Sequence, residues 1–283
     1  MSKESAVSLI IVSCAAYTDV LQVLIKKFEE LSFFSINFEK IYLATDIALD
    51  DIDYQALHID EVVLGKMWGE RVRNTLKRVE TEKCLVLLDD YIPTKPLNLE
   101  KLKNILDYKG NVDCFYLASV FKEMPSSKNI GHIRGYKQIP VNALYRVNST
   151  VGVWKTESLL EVLADDDSPW EWEAFAGLGK SAESMVFCAP QDDSAQVYFY
   201  SYKTGGAVYR GSWVYSALVG AGFDKLLIKN LCERPIIDDI SSSKRTLRWK
   251  VAFLKQGYSM IGVRVIKFIY LSYIQKIRRY FGK

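Results

Sequence analysis

The chain has 283 residues, of which 49% are hydrophobic and 25% charged, and it carries a formal net charge of +3. That is ordinary globular composition, and it excludes a disordered or fibrous chain while allowing one large domain or a domain with an appendage. The charge is uneven: residues 241–283 hold eleven Lys or Arg and no Asp or Glu, leaving 26 basic against 34 acidic side chains, a net of −8, in the first 240. Five cysteines (Cys14, Cys84, Cys114, Cys188 and Cys232) show no C-x-x-C spacing and mostly sit in apolar runs, as reduced, buried thiols of a cytoplasmic protein do. With His58 and His132 as the only histidines, a His/Cys zinc centre is disfavoured. The opening "MSKESAVSLIIVS" lacks the cationic start and cleavage site of a signal peptide, so its short apolar run reads as a first strand.

In chain order, "AVSLIIVS" (6–13) is a buried-strand run. "YTDVLQVLIKKFEELS" follows, with Val20, Leu24, Phe28 and Leu31 at helical spacing. "KIYLAT" (40–45) and "DEVVLG" (60–65) are the second and third strands. In "WGERVRNTLKRVE", Trp68, Val72, Leu76 and Val79 form a helical stripe. "CLVLL" (84–88) is a fourth strand, "LNLEKLKNIL" a helix, and "VDCFYLAS" (112–119) a further strand. Strands alternating with helices predict an α/β fold with a mixed, mostly parallel sheet. The polar segment 121–140 reads as a long loop, "VNALYRV" and "TVGVWK" as a hairpin, and "TESLLEVLA" as a short helix. "AQVYFYSY" and "GAVYRG" read as short strands around Gly205-Gly206.

The most apolar strand ends in Asp89 and Asp90, followed by "YIPTKP". In open parallel sheets ligands bind beyond the carboxyl ends of the strands. Two carboxylates there suffer desolvation unless a positive group joins them, and a divalent cation with a diphosphate supplies one. The competing reading is that the pair caps the following turn.

"LLDDY" after "WGERVRNTL", with "SCAAYTDVL" after the first strand and "IYLATD" as the second, resembles the bacterial glycosyltransferases of GT-A fold that build capsule and O-antigen polysaccharides. The resemblance covers roughly residues 6 to 215. It implies a Rossmann-type nucleotide-sugar-binding domain whose acidic motif holds Mn or Mg against the donor diphosphate. By that likeness Ser13, Ala15 and Tyr17 line the base and ribose, with Thr45 and Asp46 nearby. Trp68 and Arg71 lie between nucleotide and sugar, Asp90 ligates the metal, and Asp89 lies near the sugar hydroxyls. The usual motif separates its carboxylates by one residue, whereas here the position before Asp89 is Leu88, and no third protein ligand is evident.

"DDDSPWEWEAF" (165–175) starts a helix: Ser168 suits the N-cap, Pro169 the first position, and Glu171 completes a capping box. That leaves Glu173, between Trp172 and Phe175, as the candidate base for an acceptor hydroxyl; a solvated helix carboxylate is the alternative. Trp170 and Trp172 are candidates for a sugar-stacking platform, with core packing as the competing role. In "YKTGGAVYRGSW" the glycines with Lys203 and Arg210 suit a diphosphate leaving group; a tight turn accounts for the glycines equally. Loop 121–140, with Arg134 and Lys137, is a candidate lid, and His132 within it a surface histidine.

From Lys244 onward large apolar side chains interleave with cations, and no charge-free stretch approaches the ~20 residues of a membrane span. Residues 241–283 therefore form a basic amphipathic appendage to a 1–240 catalytic domain. It is suited to the anionic inner face of a membrane, or to packing on the domain or on a second copy. Nucleic acid would not call for so many large apolar side chains. Taken together the sequence points to a glycosyltransferase moving a hexose, galactose among the candidates, from a UDP-sugar to a lipid-linked or growing glycan with inversion. A nucleotidyltransferase on a sugar phosphate should carry a glycine-rich loop where "SCAAYTD" stands; a membrane-associated assembly protein without turnover is the non-enzymatic alternative.

Overall fold

Short runs of Val, Ile and Leu build the centre of the molecule. The structure, a computed structural model, describes residues 6–49, 52, 54, 58–121, 133–201, 205–224, 234–238 and 246–281, with side chains through Ile277. Eight strands form the main sheet: β1 (Val7–Val12), β2 (Ile41–Thr45), β3 (Glu61–Leu64), β4 (Lys83–Leu88), β5 (Cys114–Tyr116), β6 (Tyr136–Gln138), β7 (Gly152–Lys155) and β8 (Phe187–Pro190). Their spatial order is β3-β2-β1-β4-β7-β5-β8-β6. β1 to β4 are parallel and β5 is parallel to β8, while β7 runs antiparallel between β4 and β5 and β6 antiparallel along β8.

Every residue of β1 is buried, because helices cover both faces of the sheet. Side chains alternate across a strand, so Leu9 and Ile11 face one layer and Ile10 and Val12 the other. The first layer is closed by α1 (Thr18–Glu30) and α3 (Leu99–Leu106) through Leu21, Leu24, Phe28, Leu102 and Ile105. The second is closed by α2 (Trp68–Leu76), α4 (Thr156–Glu161) and α5 (Pro169–Phe175) through Val72, Leu76, Leu159 and Trp172. Burying side chains of this size contributes ~2 kcal/mol each before the entropy of ordering them is subtracted. A small second sheet, β11-β10-β9, is built from β9 (Val208–Tyr209), β10 (Ser212–Val214) and β11 (Ile236–Ile237). With α6 (Tyr215–Gly220) it packs on Val20 and Val23 of α1.

Three expectations differ. "VNALYRV" is not half of a hairpin: Ala143 N–H closes a turn onto Pro140 O, and Tyr145 has φ 58. Its one cation is drawn inward, where the buried Arg146 donates to Met185 O and lies over the Phe187 ring. β7 therefore pairs with β4 and β5 instead. The expected strand in "AQVYFYSY" reduces to one bridge, Pro93 to Tyr200, because Val197 and Tyr198 N–H both donate to Leu117 O. Conversely, the loop expected over 121–140 ends in β6, which adds an antiparallel edge to β8.

The basic tail is a helical hairpin. α7 (Leu247–Ile261), capped by Thr246, turns at Gly262 (φ 59) into α8 (Val265–Phe281). Phe253 and Phe268 close on Phe175 of α5 with ring centroids 4.7 and 4.9 Å away, and Arg264 ties the corner to Leu178 O and Glu183. One face of the hairpin is thus packed on the domain. A Cβ on Gly257 would stand 2.5 Å from the Phe175 ring. Gly257→Val is therefore expected to lower stability by about 1–3 kcal/mol in urea unfolding and to expose the hairpin to protease; an unchanged midpoint would place the hairpin off α5.

Candidate active site

β1 leads through α1 to β2 on one side, and β3 leads through α2 back across to β4 on the other. The strand order reverses between β1 and β4, and the carboxyl ends at such a reversal are where open α/β sheets form their ligand crevice. Ser13 and Asp89 are the residues that follow these strands. Asp89 N–H donates to Val12 O at 3.1 Å, and Ser13 Oγ donates to Asp89 Oδ2 at 2.5 Å. Burial pushes the Asp89 carboxyl from its ordinary 3.8 up to about 7, although the Ser13 hydrogen bond and the positive charge of Arg234 pull it down. Asp89 is thus committed to Ser13 rather than standing free beside a donor sugar.

Asp90 carries the sharper anomaly. Its Oδ1 is buried and has no hydrogen-bond partner. Burial first, then the negative charges of Asp89 and Glu173, hold its carboxyl well above the usual range. An orphaned buried carboxylate oxygen is costly and rare unless something completes it. The backbone approaches closely on one side: Ala207 N–H donates to Asp90 O at 2.8 Å, and a Cβ on Gly206 (φ 120) would stand 2.3 Å from Asp90 Oδ2. Only glycine fits there, so Gly206, the second of the glycine pair in the sequence, lies against the acidic motif, while a Cβ on Gly205 would meet nothing within 4 Å.

Glu173 comes from α5, whose start follows the local signals: Ser168 Oγ accepts from Glu171 N–H at 3.4 Å and Pro169 takes the first position. Glu173 Oε1 accepts from Ser149 N–H at 2.9 Å and from the Ser149 hydroxyl. Burial raises its carboxyl, and those two bonds oppose the rise. Ser149 Oγ also lies 3.0 Å from the Tyr91 hydroxyl, and the rings of Tyr91 and Tyr200 pack at a tilt with centroids 4.6 Å apart. Tyr200 and Thr150 share a hydrogen bond at 3.0 Å. Burial raises the hydroxyls of Tyr91 and Tyr200 in pKa, and the negative charges of Asp90 and Glu173 add to the rise, so both aromatics lie near the two acids. Ser149, Tyr91 and Tyr200 were missed by the sequence reading; the only signal for Tyr91 was its place directly after the acidic pair.

On the β2 side, Asp46 Oδ1 accepts from Ala15 N–H at 2.7 Å, from Ile47 N–H at 3.1 Å and from Thr45 Oγ1 at 3.4 Å. It locks the β1–α1 loop to the end of β2. Arg71, expected between nucleotide and sugar, is buried with its guanidinium on Ser13 O, Lys66 O and Met67 O. It braces the crevice floor through Ser13. Tyr17 lies under Arg234, 4.4 Å from ring centroid to guanidinium, and Arg234 makes a two-pronged pair with Asp19. Arg234 was not foreseen, and nothing in "CERPIID" points to a partner more than two hundred residues upstream.

The remaining candidates fall elsewhere. Trp172 is 2% exposed, donates from Nε1 to Val162 O and packs at a tilt against Trp68 and Trp154, so it is core and presents no face to a sugar. Trp170 is 68% exposed. The buried Trp68 Nε1 lacks a partner. Arg210, at φ 52 beside Gly211 at φ 80, forms the two-residue turn between β9 and β10, with its guanidinium over Tyr209. Arg134 is exposed and Lys137 lies on β6. Lys203, His132 and most of the expected lid lie outside the described residues. The acidic run before α5 is engaged locally: Asp165 pairs with Arg73 of α2, and Asp167 accepts from Ala164 N–H.

Among the described residues no three His, Cys, Asp or Glu side chains group as a metal cage. Cys14, Cys84, Cys114 and Cys188 are free thiols. The free oxygen of Asp90 beside Asp89 suits a hard cation whose other ligands are phosphate and water oxygens rather than one enclosed by protein.

No protein-family model matches the chain, and no curated protein does. Among solved structures it is similar to S. aureus TarS 1-349 in complex with UDP, at 13% identity and TM-score 0.47, over 69% of this chain and 60% of that one. It is also similar to the glycosyltransferase GlyE in Streptococcus pneumoniae TIGR4, at 15% identity and TM-score 0.34, over 54% and 35%. A third similarity is to 4-diphosphocytidyl-2C-methyl-D-erythritolsynthase from Anaerococcus prevotii DSM 20548, at 13% and 0.37, over 56% and 75%. The chain thus spans about 60% of the TarS fragment it matches. At these values the likenesses assign neither activity nor substrate to this chain.

The buried acids have a thermodynamic signature. A carboxyl raised in the folded state binds its proton more tightly there than in the unfolded chain, so stability falls as pH rises from about 4 to about 7. For Asp89 the loss is up to about 4 kcal/mol. In chelator, Asp89→Asn is expected to melt above the wild type at pH values past 7 and to flatten that slope. A lower melting temperature across the whole range would mark Asp89 as a plain structural carboxylate.

Proposed function

We propose that the chain is a glycosyltransferase that moves a hexose, galactose among the candidates, from a UDP-sugar to a lipid-linked or growing cell-surface glycan with inversion. Capsule or O-antigen assembly is the setting that this reading implies, with the protein on the cytoplasmic side. The observation that carries it is the unpartnered, buried oxygen of Asp90 beyond the ends of β1 and β4, with Glu173, Tyr91 and Tyr200 near enough to share its electrostatics. One acid keeps an oxygen without a hydrogen-bonding partner, and a second is already oriented by two donors. That division suits a donor diphosphate on one side and an acceptor hydroxyl on the other.

In this mechanism the loop from Ser13 to Tyr17, held by Asp46, and the end of β2 at Thr45 receive the nucleoside. When bound, Mn or Mg held by Asp90 would supply positive charge against the diphosphate. Asp89 holds Ser13 and thereby the wall of the crevice. Ser149 fixes Glu173 Oε1, and Oε2 is assigned to the acceptor proton. As the acceptor oxygen attacks the anomeric carbon, Glu173 takes that proton and the bond to the diphosphate breaks. A carboxyl raised by burial is a better base near neutral pH than a solvated one.

Melting with UDP, GDP and CDP, each with and without manganese, tests the donor half: UDP with manganese should stabilise the wild type, and Asp90→Asn should lose that shift. Glu173→Gln should keep the shift while transfer falls about a hundredfold to ten-thousandfold. A near-normal rate would remove Glu173 from the chemistry, and stabilisation by none of the nucleotides would leave a non-catalytic protein.

The Ser149 hydroxyl favours ionised Glu173, so Ser149→Ala should raise the carboxyl further and move the acid limb of the kcat profile to higher pH. Ser149→Thr, which keeps the hydroxyl, should restore the limb. An unmoved limb with reduced rate would reduce Ser149 to packing.

A further inference from the structure

The helical hairpin has two apolar faces, and the domain uses only one. Phe253, Gly257, Val265 and Phe268 turn toward Phe175, Leu144 and Leu178. On α8, Ile266, Ile269, Tyr270 and Tyr273 are exposed, and their spacing (i, i+3, i+4, i+7) is that of a single helical stripe. On α7, Leu247, Val251 and Tyr258 recur at i, i+4 and i+11 and are likewise exposed, as is Val263 at the corner between the helices. Each of these large side chains meets water on a helix that already has its core contacts, and contiguous exposed apolar surface of this kind marks an interaction site.

The flanks of these stripes are cationic. Arg248, Lys250 and Lys255 are exposed on α7, and Lys267 and Lys276 on α8, while residues 246–281 contain no Asp or Glu. A second copy of the same surface would set like charges against one another, so charge complementarity disfavours self-association. No helix among the described residues is long and apolar enough to cross a membrane. Apolar side chains of modest depth bordered by Lys and Arg, with aromatic Tyr among them, match the interface of an anionic bilayer: the chains enter the acyl boundary and the cations remain at the headgroups.

We infer that the outward face of the α7–α8 hairpin docks on an anionic phospholipid surface. The inference stands without the transferase reading, because it rests on the hairpin alone. Its bearing on the site runs through α5, which carries Glu173 into the crevice and, two residues on, Phe175 into the hairpin. Docking therefore seats the acceptor half of the crevice on an element held directly by the membrane-bound hairpin, as an acceptor with a lipid anchor would require.

The test is sedimentation of the full chain with vesicles of phosphatidylcholine and phosphatidylglycerol in equal parts, and of phosphatidylcholine alone. Binding is expected to the first and not the second, and to weaken with salt. The triple variant Ile266→Asn/Ile269→Asn/Tyr273→Asn, at exposed positions, should melt with the wild type and lose at least tenfold in vesicle affinity. Lys267→Glu/Lys276→Glu should lose binding similarly at low salt. Failure of the wild type to bind the anionic vesicles would overturn the inference, as would binding indifferent to the triple variant. A concentration-dependent dimer in gel filtration that the triple variant dissolves would assign the face to a second copy instead. Nucleotide-induced melting shifts are independent of every one of these outcomes, so the two readings fail separately.

Discussion

Two parallel strands that lie side by side must end side by side, and here both ends are polar. β1 delivers Ser13 and β4 delivers Asp89 to the same edge, where the hydroxyl of one is bonded to the carboxylate of the other. The pairing register that buries Leu9 against Leu85 and Ile11 against Leu87 also fixes this juxtaposition, so the hydrophobic core and the crevice are set by one alignment. Desolvation follows from the same packing: the carboxyls are raised because the sheet and its tyrosines exclude water from them. A one-residue slip would exchange the two faces of the strand and destroy both.

The second half of the crevice is assembled from segments with no common secondary structure. Ser149 precedes β7, Tyr200 lies in an irregular stretch bridged to Pro93, and Gly206 belongs to a turn that closes on Asp90. Irregular backbone at such a place needs its polar groups satisfied, and it is: Thr94 N–H reaches Phe199 O, Ala207 N–H reaches Asp90 O, and the Tyr198 hydroxyl reaches Tyr91 O. Against that background of completed hydrogen bonds in these segments, the Oδ1 of Asp90 is left open, as Asp167 Oδ1 is elsewhere in the fold.

α5 joins the crevice to the basic hairpin. Its start is dictated locally by Ser168 and Pro169, while its faces are dictated by what packs on them. Trp172 enters the aromatic layer with Trp68 and Trp154, Glu173 meets Ser149, and Phe175 meets Phe253 and Phe268. Seven residues therefore link the sheet, the acids and the tail, so rigidity of the crevice and attachment of the hairpin are parts of one packing arrangement.

Strand and helix periodicity in the sequence was enough to set out β1 to β5, α1 to α5 and the parallel character of the sheet, because apolar spacing is a local consequence of burial. The acidic pair at the end of β4, the glycine pair and Glu173 could be placed on their elements for the same reason: each is an unusual residue at a position whose local geometry is predictable. What no local pattern carried was partnership. That Arg71 would brace Ser13, that Arg234 would cover Tyr17, that Trp172 would be core, and that Ser149 would hold Glu173 all depend on contacts between residues far apart in the chain. Sequence spacing fixes which way a side chain leaves its own element, but only the packing of elements against one another decides what it meets, and the chemistry of this crevice lies in those meetings.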